Sequence, residues 1–316
     1  MLRKFTQMEV ATWVSIVALM IALASCDHKP ETPSAPKAFA TPEEAGDAVF
    51  AAAKSGNQDE LRAIFGPDTK ELLFSGDPVQ DKNAIEAFTS GYTVMHRWRT
   101  MNDGSETLLI ASDNFPMPIP IKKNASGKWF FDTAAGKDEL LNRRIGRNEL
   151  AVIDVCNALV QAQAEYHKQT HDGATTPQYA LKFISDPGKQ NGLYWKSDNG
   201  QPESPLGPQV TLAAAQSYTG GSNGPTPFHG YYFRVLTGQT DKSPGGAKDY
   251  IVDGKMVNGF AFVAYPALYG ESGIMTFITN QDGLLLQKDL GKDTPQVASA
   301  MSKYDPDFGW DPVGSN

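Results

Sequence analysis

Cysteine is nearly absent, with two residues in 316. Cys26 closes the run Leu23-Ala24-Ser25-Cys26, and Cys156 sits on an apolar stripe, so no disulfide between them is expected. Cys156 reads either as a reactive thiol or as a small buried apolar residue, and the second reading is preferred. A basic surplus is missing too. Lys and Arg number 28 against 36 Asp and Glu, a formal net charge of −8. No basic stripe is visible, which argues against a nucleic-acid partner. There is no H-E-x-x-H, no Walker lysine loop and no paired C-x-x-C. Catalysis has no signature to rest on, and a non-catalytic role is favoured. Long apolar runs are also absent except at 10–23, which is short against the roughly 20 residues of a membrane span.

That one run has the shape of an export signal. Arg3 and Lys4 precede it, and it carries Trp13, Ile16, Val17, Leu19, Met20 and Ile21. It leads into Leu-Ala-Ser-Cys, which resembles the bacterial lipobox. The resemblance implies that residues 1–25 are a lipoprotein signal peptide and that Cys26 becomes the lipidated first residue. The competing reading is an uncleaved transmembrane anchor. Asp27 resembles the signal that keeps lipoproteins at the inner membrane, with the outer membrane as the alternative. Residues 26–38 carry Pro30, Pro33 and Pro36 and read as a tether. In polyproline form, at about 3.1 Å per residue, residues 27–38 would span up to about 37 Å.

Residues 39–136 read as a small α+β domain. Thr41-Pro42-Glu43-Glu44 predicts a helix start: a capping threonine, proline at the first turn and acids near the dipole. A second helix begins at Asn57 or Gln58, and a third is expected over 82–89. Strand-like runs follow at 93–101, 106–112, 117–122 and 128–133, with turns at Asn102-Asp103-Gly104 and 124–127.

Residues 137–316 read as a second unit. The stretch 137–170 predicts the longest helix, with Val152, Val155, Cys156, Leu159, Ala162 and Tyr166 in one stripe. Leu140, Leu141 and Ile145 should pack on the first unit. Gly146 between the clusters predicts a kink or break, and His171-Asp172-Gly173 the end. Residues 172–227 read as an irregular insert with short helices at 178–185 and 209–218 and an extended Leu193-Tyr194-Trp195. From 228 to 290 apolar residues alternate in four runs, an antiparallel meander with the long helix as its lid.

Helices followed by a strand meander resemble the NTF2-like cone, helices on a curved sheet, which implies a small-molecule cavity in the first unit. Its polar candidates are His96, Arg97, Trp98, Arg99, Asp113 and Asp132, chiefly His96, Arg97 and Asp132. Gly230-Tyr231-Tyr232-Phe233 and Thr276-Phe277-Ile278 before Gln281-Asp282-Gly283 resemble type IV pilin and pseudopilin headgroups. A whole unit precedes the helix here, which argues against pilus assembly. The stretch 127–133, Glu203-Ser204-Pro205-Leu206, Ala264-Tyr265-Pro266-Ala267 and Lys288-Asp289-Leu290-Gly291 resemble a family of exported bacterial proteins, domain of unknown function 2950. That resemblance implies no activity.

Among late acids, Asp282, Asp289 and Asp293 are candidate calcium ligands, weighed against solvated loops. No other cofactor is read. His167 and His171 have metal-compatible spacing but read equally as exposed histidines at a helix end. The first functional expectation is a membrane-tethered envelope module that binds a protein partner through a sheet edge or the insert. The alternative is a small-molecule binder or enzyme using the first unit's cavity.

Overall fold

Thr41 caps the first helix, Pro42–Ser55, by accepting the Glu44 amide at 3.2 Å. Asn57 caps the second, Gln58–Phe65, in the same way. The computed structural model describes residues 35–67, 69, 73–197, 203–207 and 226–314. The expected leader at 1–25, Cys26, Asp27, most of the expected tether and the expected helix at 209–218 lie outside these residues. Contacts group Pro33–Asn316 into one compact unit. The fold class is α+β, as expected, with mainly antiparallel sheets.

The third helix, Pro78–Val94, is longer than the sequence pattern predicts. Asp77 takes the amides of Val79 and Gln80, each at 3.0 Å, so the helix starts one turn early. It ends where Met95 turns extended and leads into the strand His96–Thr100. That strand pairs with Glu106–Ile110, which continues to Ile121–Lys123 and Trp129–Phe131; Phe115–Pro116 joins beside Glu106–Ile110. The first core lies between these strands and helices, around Ala45, Val49, Ile64, Ile119, Ile121 and Phe131.

The long helix, Thr133–Tyr166, has 34 residues. At 1.5 Å per residue it runs about 51 Å. It begins four residues before the predicted start because Asp132 accepts the Ala135 amide at 3.4 Å. It passes through Gly146 without a break. Ile145 and Asn148 are buried on either side of that glycine, and packing outweighs the roughly 1 kcal/mol propensity cost. Its C-terminal end comes early, at Tyr166, because His171 folds back: its Nε2 lies 2.9 Å from the Tyr166 carbonyl and its ring stacks on Tyr166 at 3.9 Å.

The second sheet runs in the order Asp311–Pro312, Leu286–Asp289, Met275–Asn280, Ala261–Pro266, Tyr231–Leu236. All six residues of the interior strand Ala261–Pro266 are buried. Val152 and Cys156 of the long helix pack with Tyr231, Ala264, Phe277 and Leu285, so the helix is the lid the pattern predicts. The opposite face is covered by a helix the pattern did not reveal, Thr294–Ala300, whose Ala298 packs with Val263 and Ile278. Residues 178–185, expected as a helix, are irregular instead. Gln163 on the long helix takes both backbone groups of Ala180 at 2.8 Å, and Tyr179 and Ile184 form isolated bridges to Met256 and Tyr194. These partners replace a helix's own hydrogen bonds. Leu193 and Trp195 are buried in the same core, as expected.

Candidate functional site

The third helix has 17 residues but buries only Tyr92. A helix that packs tightly presents a whole apolar face to its neighbours. This one instead borders a gap. Ala84, Ile85, Ala87, Phe88 and Gly91 line a cavity of about 510 Å³. The first two helices add Val49, Ala53, Leu61 and Phe65, and the sheet side adds Ile110, Met117, Pro118 and Ile119. Such a volume lies in the range of small-molecule sites, roughly 300–1,000 Å³.

Two sets of polar groups interrupt the apolar wall. One is a corner made by Ser75, Gln80 and Asp81. Asp81 accepts the Ser75 amide at 2.9 Å. Burial raises its carboxyl above the usual range, against the Ser75 hydrogen bonds and nearby Arg144, which pull it down. Gln80 donates to Asn148 Oδ1 at 2.5 Å, and its buried Oε1 has no partner among the described residues. The other set is three arginines of the long helix, Arg143, Arg144 and Arg147, next to Leu140. Arg144 is buried, donates to the Phe74 carbonyl at 3.4 Å and feels Asp81 and Glu271; burial draws its guanidinium below the usual value. Arg143 donates to Glu139 at 2.6 Å and to the Pro116 carbonyl at 2.8 Å, and lies over the Phe115 ring at 5.3 Å. Arg147 is exposed and makes no ion pair among the described residues.

Of the residues the sequence nominated for a cavity, Asp113 alone lines it. His96 is exposed; its ring stacks on Tyr92 at 3.8 Å and its Nδ1 lies 2.9 Å from the Tyr92 carbonyl. Arg97 and Arg99 are exposed on the same edge strand. Asp132 caps the long helix and pairs with Lys122 at 2.5 Å. The arginines that do line the cavity lay in view within the long helix. Three cations within five residues, beside Leu140, were the available signal.

A buried polar seam joins the long helix to the second sheet beside this cavity. Asp77 accepts the Gly230 amide at 3.1 Å, and Asn148 donates to the Ser272 carbonyl at 2.7 Å. Glu149 takes the amides of Ile274 and Met275 at 2.9 and 3.0 Å. Gly230 has φ +71°, and an added Cβ there would lie 2.6 Å from Asn148 Nδ2, so glycine is required on two counts.

The candidate calcium ligands serve local roles. Asp282 accepts from Asn280 at 3.0 Å; Asp289 accepts from the Tyr269 hydroxyl at 3.2 Å and the Gly291 amide at 2.8 Å. Asp293 stands at the start of Thr294–Ala300. Among the described residues no group of three or more His, Cys, Asp or Glu is placed to hold a metal. His171 is buried rather than exposed, and His167 stacks on Tyr179 at 4.2 Å, so both act as aromatic packing. Cys156 is buried, and desolvation pushes its thiol up to about 12, the condition of an inert packing residue.

A family model described as protein of unknown function (DUF2950) matches residues 36–313. No curated protein and no solved structure matches the chain.

Proposed function

We propose that this chain, which belongs to the DUF2950 family, binds a small, largely apolar molecule in the cavity of its N-terminal half. The observation that carries the reading is the largely apolar pocket of about 510 Å³ beneath a helix that buries a single residue. A molecule that binds there would stabilise the fold by mass action. The resemblance of this half to the NTF2-like fold, and of the second half to pilin headgroups, belongs to the same reading: a hollow unit beside a solid one. No catalytic constellation supports a reaction in the cavity. A protein partner is the second reading. Its support is the strand His96–Thr100, which pairs on one side only, with Glu106–Ile110.

We propose further that the protein is exported and held at the membrane through lipidated Cys26, with Asp27 favouring the periplasmic face of the inner membrane. Incorporation of labelled palmitate should vanish in Cys26→Ala; persistence of the label would remove that part.

The cavity reading is tested with a neutral environment-sensitive fluorophore, N-phenyl-1-naphthylamine. It should brighten on binding the full chain, and Ala53→Phe, which places a ring in the cavity, should abolish most of the signal. Equal brightening in both proteins would place the dye elsewhere and sink the reading.

A further inference from the structure

We propose that the molecule held in this cavity is an amphipathic anion, an acyl-type chain in the apolar interior with its carboxylate at the rim formed by Arg143 and Arg147. This rests on the binding reading above and adds the ligand's charge and shape.

The three arginines are not equivalent. Arg144 is spent within the protein, buried against the Phe74 carbonyl and facing Asp81. Asp81 in turn is held by the Ser75 amide. Arg143 is oriented by Glu139, the Pro116 carbonyl and the Phe115 ring. Arg147 lies one helical turn beyond Arg143, exposed and without an ion pair among the described residues. Residues four apart share a helix face, so both guanidiniums border the same cavity wall. A guanidinium beside an apolar hollow recognises a carboxylate through paired, charge-assisted hydrogen bonds.

The interior sets the rest of the ligand. Leu73, Ile85, Phe88, Ile110, Met117 and Ile119 make most of the wall apolar, with Ser75, Gln80 and Asp81 as one polar corner, which disfavours an extensively polar body such as a nucleotide. Asp81 and Asp113 are the opposing charges among the lining residues; Asp81 is engaged by the Ser75 amide, and Asp113 is exposed, where solvent screens it. A cationic amphiphile would find only Asp113 and the already engaged Asp81.

The test compares three probes with one chain length on the purified full chain: dodecanoate, dodecanol and dodecyltrimethylammonium, each displacing the neutral fluorophore. Dodecanoate should bind at least about tenfold tighter than dodecanol, the factor that 1.4 kcal/mol represents. Arg147→Gln should remove that advantage and leave dodecanol unchanged. Asp113→Asn should strengthen dodecanoate, and Arg97→Gln, exposed on the edge strand and outside the cavity lining, should change nothing. Equal affinity for dodecanoate and dodecanol, or no effect of Arg147→Gln in a protein with an unchanged melting curve, would overturn the anion while leaving the cavity occupied. Tighter binding of the ammonium would overturn it as well. Failure of all three to displace the fluorophore would overturn the acyl-chain class. Failure of the fluorophore itself to bind would instead remove the binding reading beneath it.

Discussion

The two ends of the long helix Thr133–Tyr166 border interiors of opposite character. Toward its start, Leu140, Arg143, Arg144 and Arg147 face a hollow whose other walls are half-buried Ile85 and Phe88. Toward its end, Val152, Cys156, Leu159, Ala162 and Tyr166 meet a sheet whose interior strand Ala261–Pro266 is buried along its whole length and covered on both faces. One half uses its apolar residues to make a solid; the other packs a smaller core, around Ile64, Ile121 and Phe131, and opens a space beside it. Residue types do not explain the difference, since both halves are rich in Phe, Ile and Leu. The difference lies in how closely each layer approaches its neighbour. A closed core contributes stability, and a hollow one gives part of it up for occupancy.

The largest expected effect attacks the solid side. Phe277→Ala removes a ring with no solvent exposure from the cluster of Val152, Cys156 and Tyr231. Urea unfolding should show a loss of about 3–5 kcal/mol. Ile85→Ala, in the cavity wall, should cost under about 1 kcal/mol because fewer contacts are lost. Similar losses at both sites would erase the contrast.

Next come substitutions that add volume. Ala264→Leu, between the long helix and its sheet, should overpack the core and cost about 1–3 kcal/mol. Ala53→Phe should be neutral or stabilising by up to about 1 kcal/mol, because the space already exists. The signs are the diagnostic, read from denaturation midpoints of the two variants side by side.

The smallest effect concerns pH. Burial raises the Asp81 carboxyl above its ordinary 3.8. The folded protein therefore binds more protons than the unfolded one between that value and the folded pKa. Stability from this group falls as pH rises through that window, and the cost is fully present above it. Asp81→Asn should flatten this part of the Tm–pH curve and gain relative to wild type as pH climbs. A slope unchanged by the substitution would place the carboxyl in solvent.

Much of the solid half was legible because its signals are periodic. The stripe from Val152 to Tyr166 and the alternation through Phe277 and Ile278 record which way side chains face. The first helix was legible because Thr41 and Pro42 are local signals. The cavity was not, since Ile85 and Phe88 look the same in sequence whether they touch a neighbour or line a gap. Periodicity reports direction and is silent on distance. Asp132 was nominated for the cavity although its place three residues before Ala135 suits a cap. The stretch 178–185 has a helix-like pattern but no helix, because Gln163 satisfies the backbone of Ala180 and Met256 and Tyr194 bridge Tyr179 and Ile184, partners the local sequence does not announce. Thr294–Ala300 has two turns, too short for a face to repeat.

The continuity of Thr133–Tyr166 has a consequence for synthesis. As the nascent chain leaves the ribosome, residues through Phe131 emerge before the turns carrying Leu140 to Arg147, so the hollow is for a time missing a side. Those turns, once made, are continuous with Val152 and Cys156, whose sheet partners at Tyr231, Ala264 and Phe277 arrive only after a further long stretch of chain has been made. The protein thus passes through a stage in which two sticky surfaces share one rod and neither is closed, a stage at which holdase chaperones would be expected to engage it.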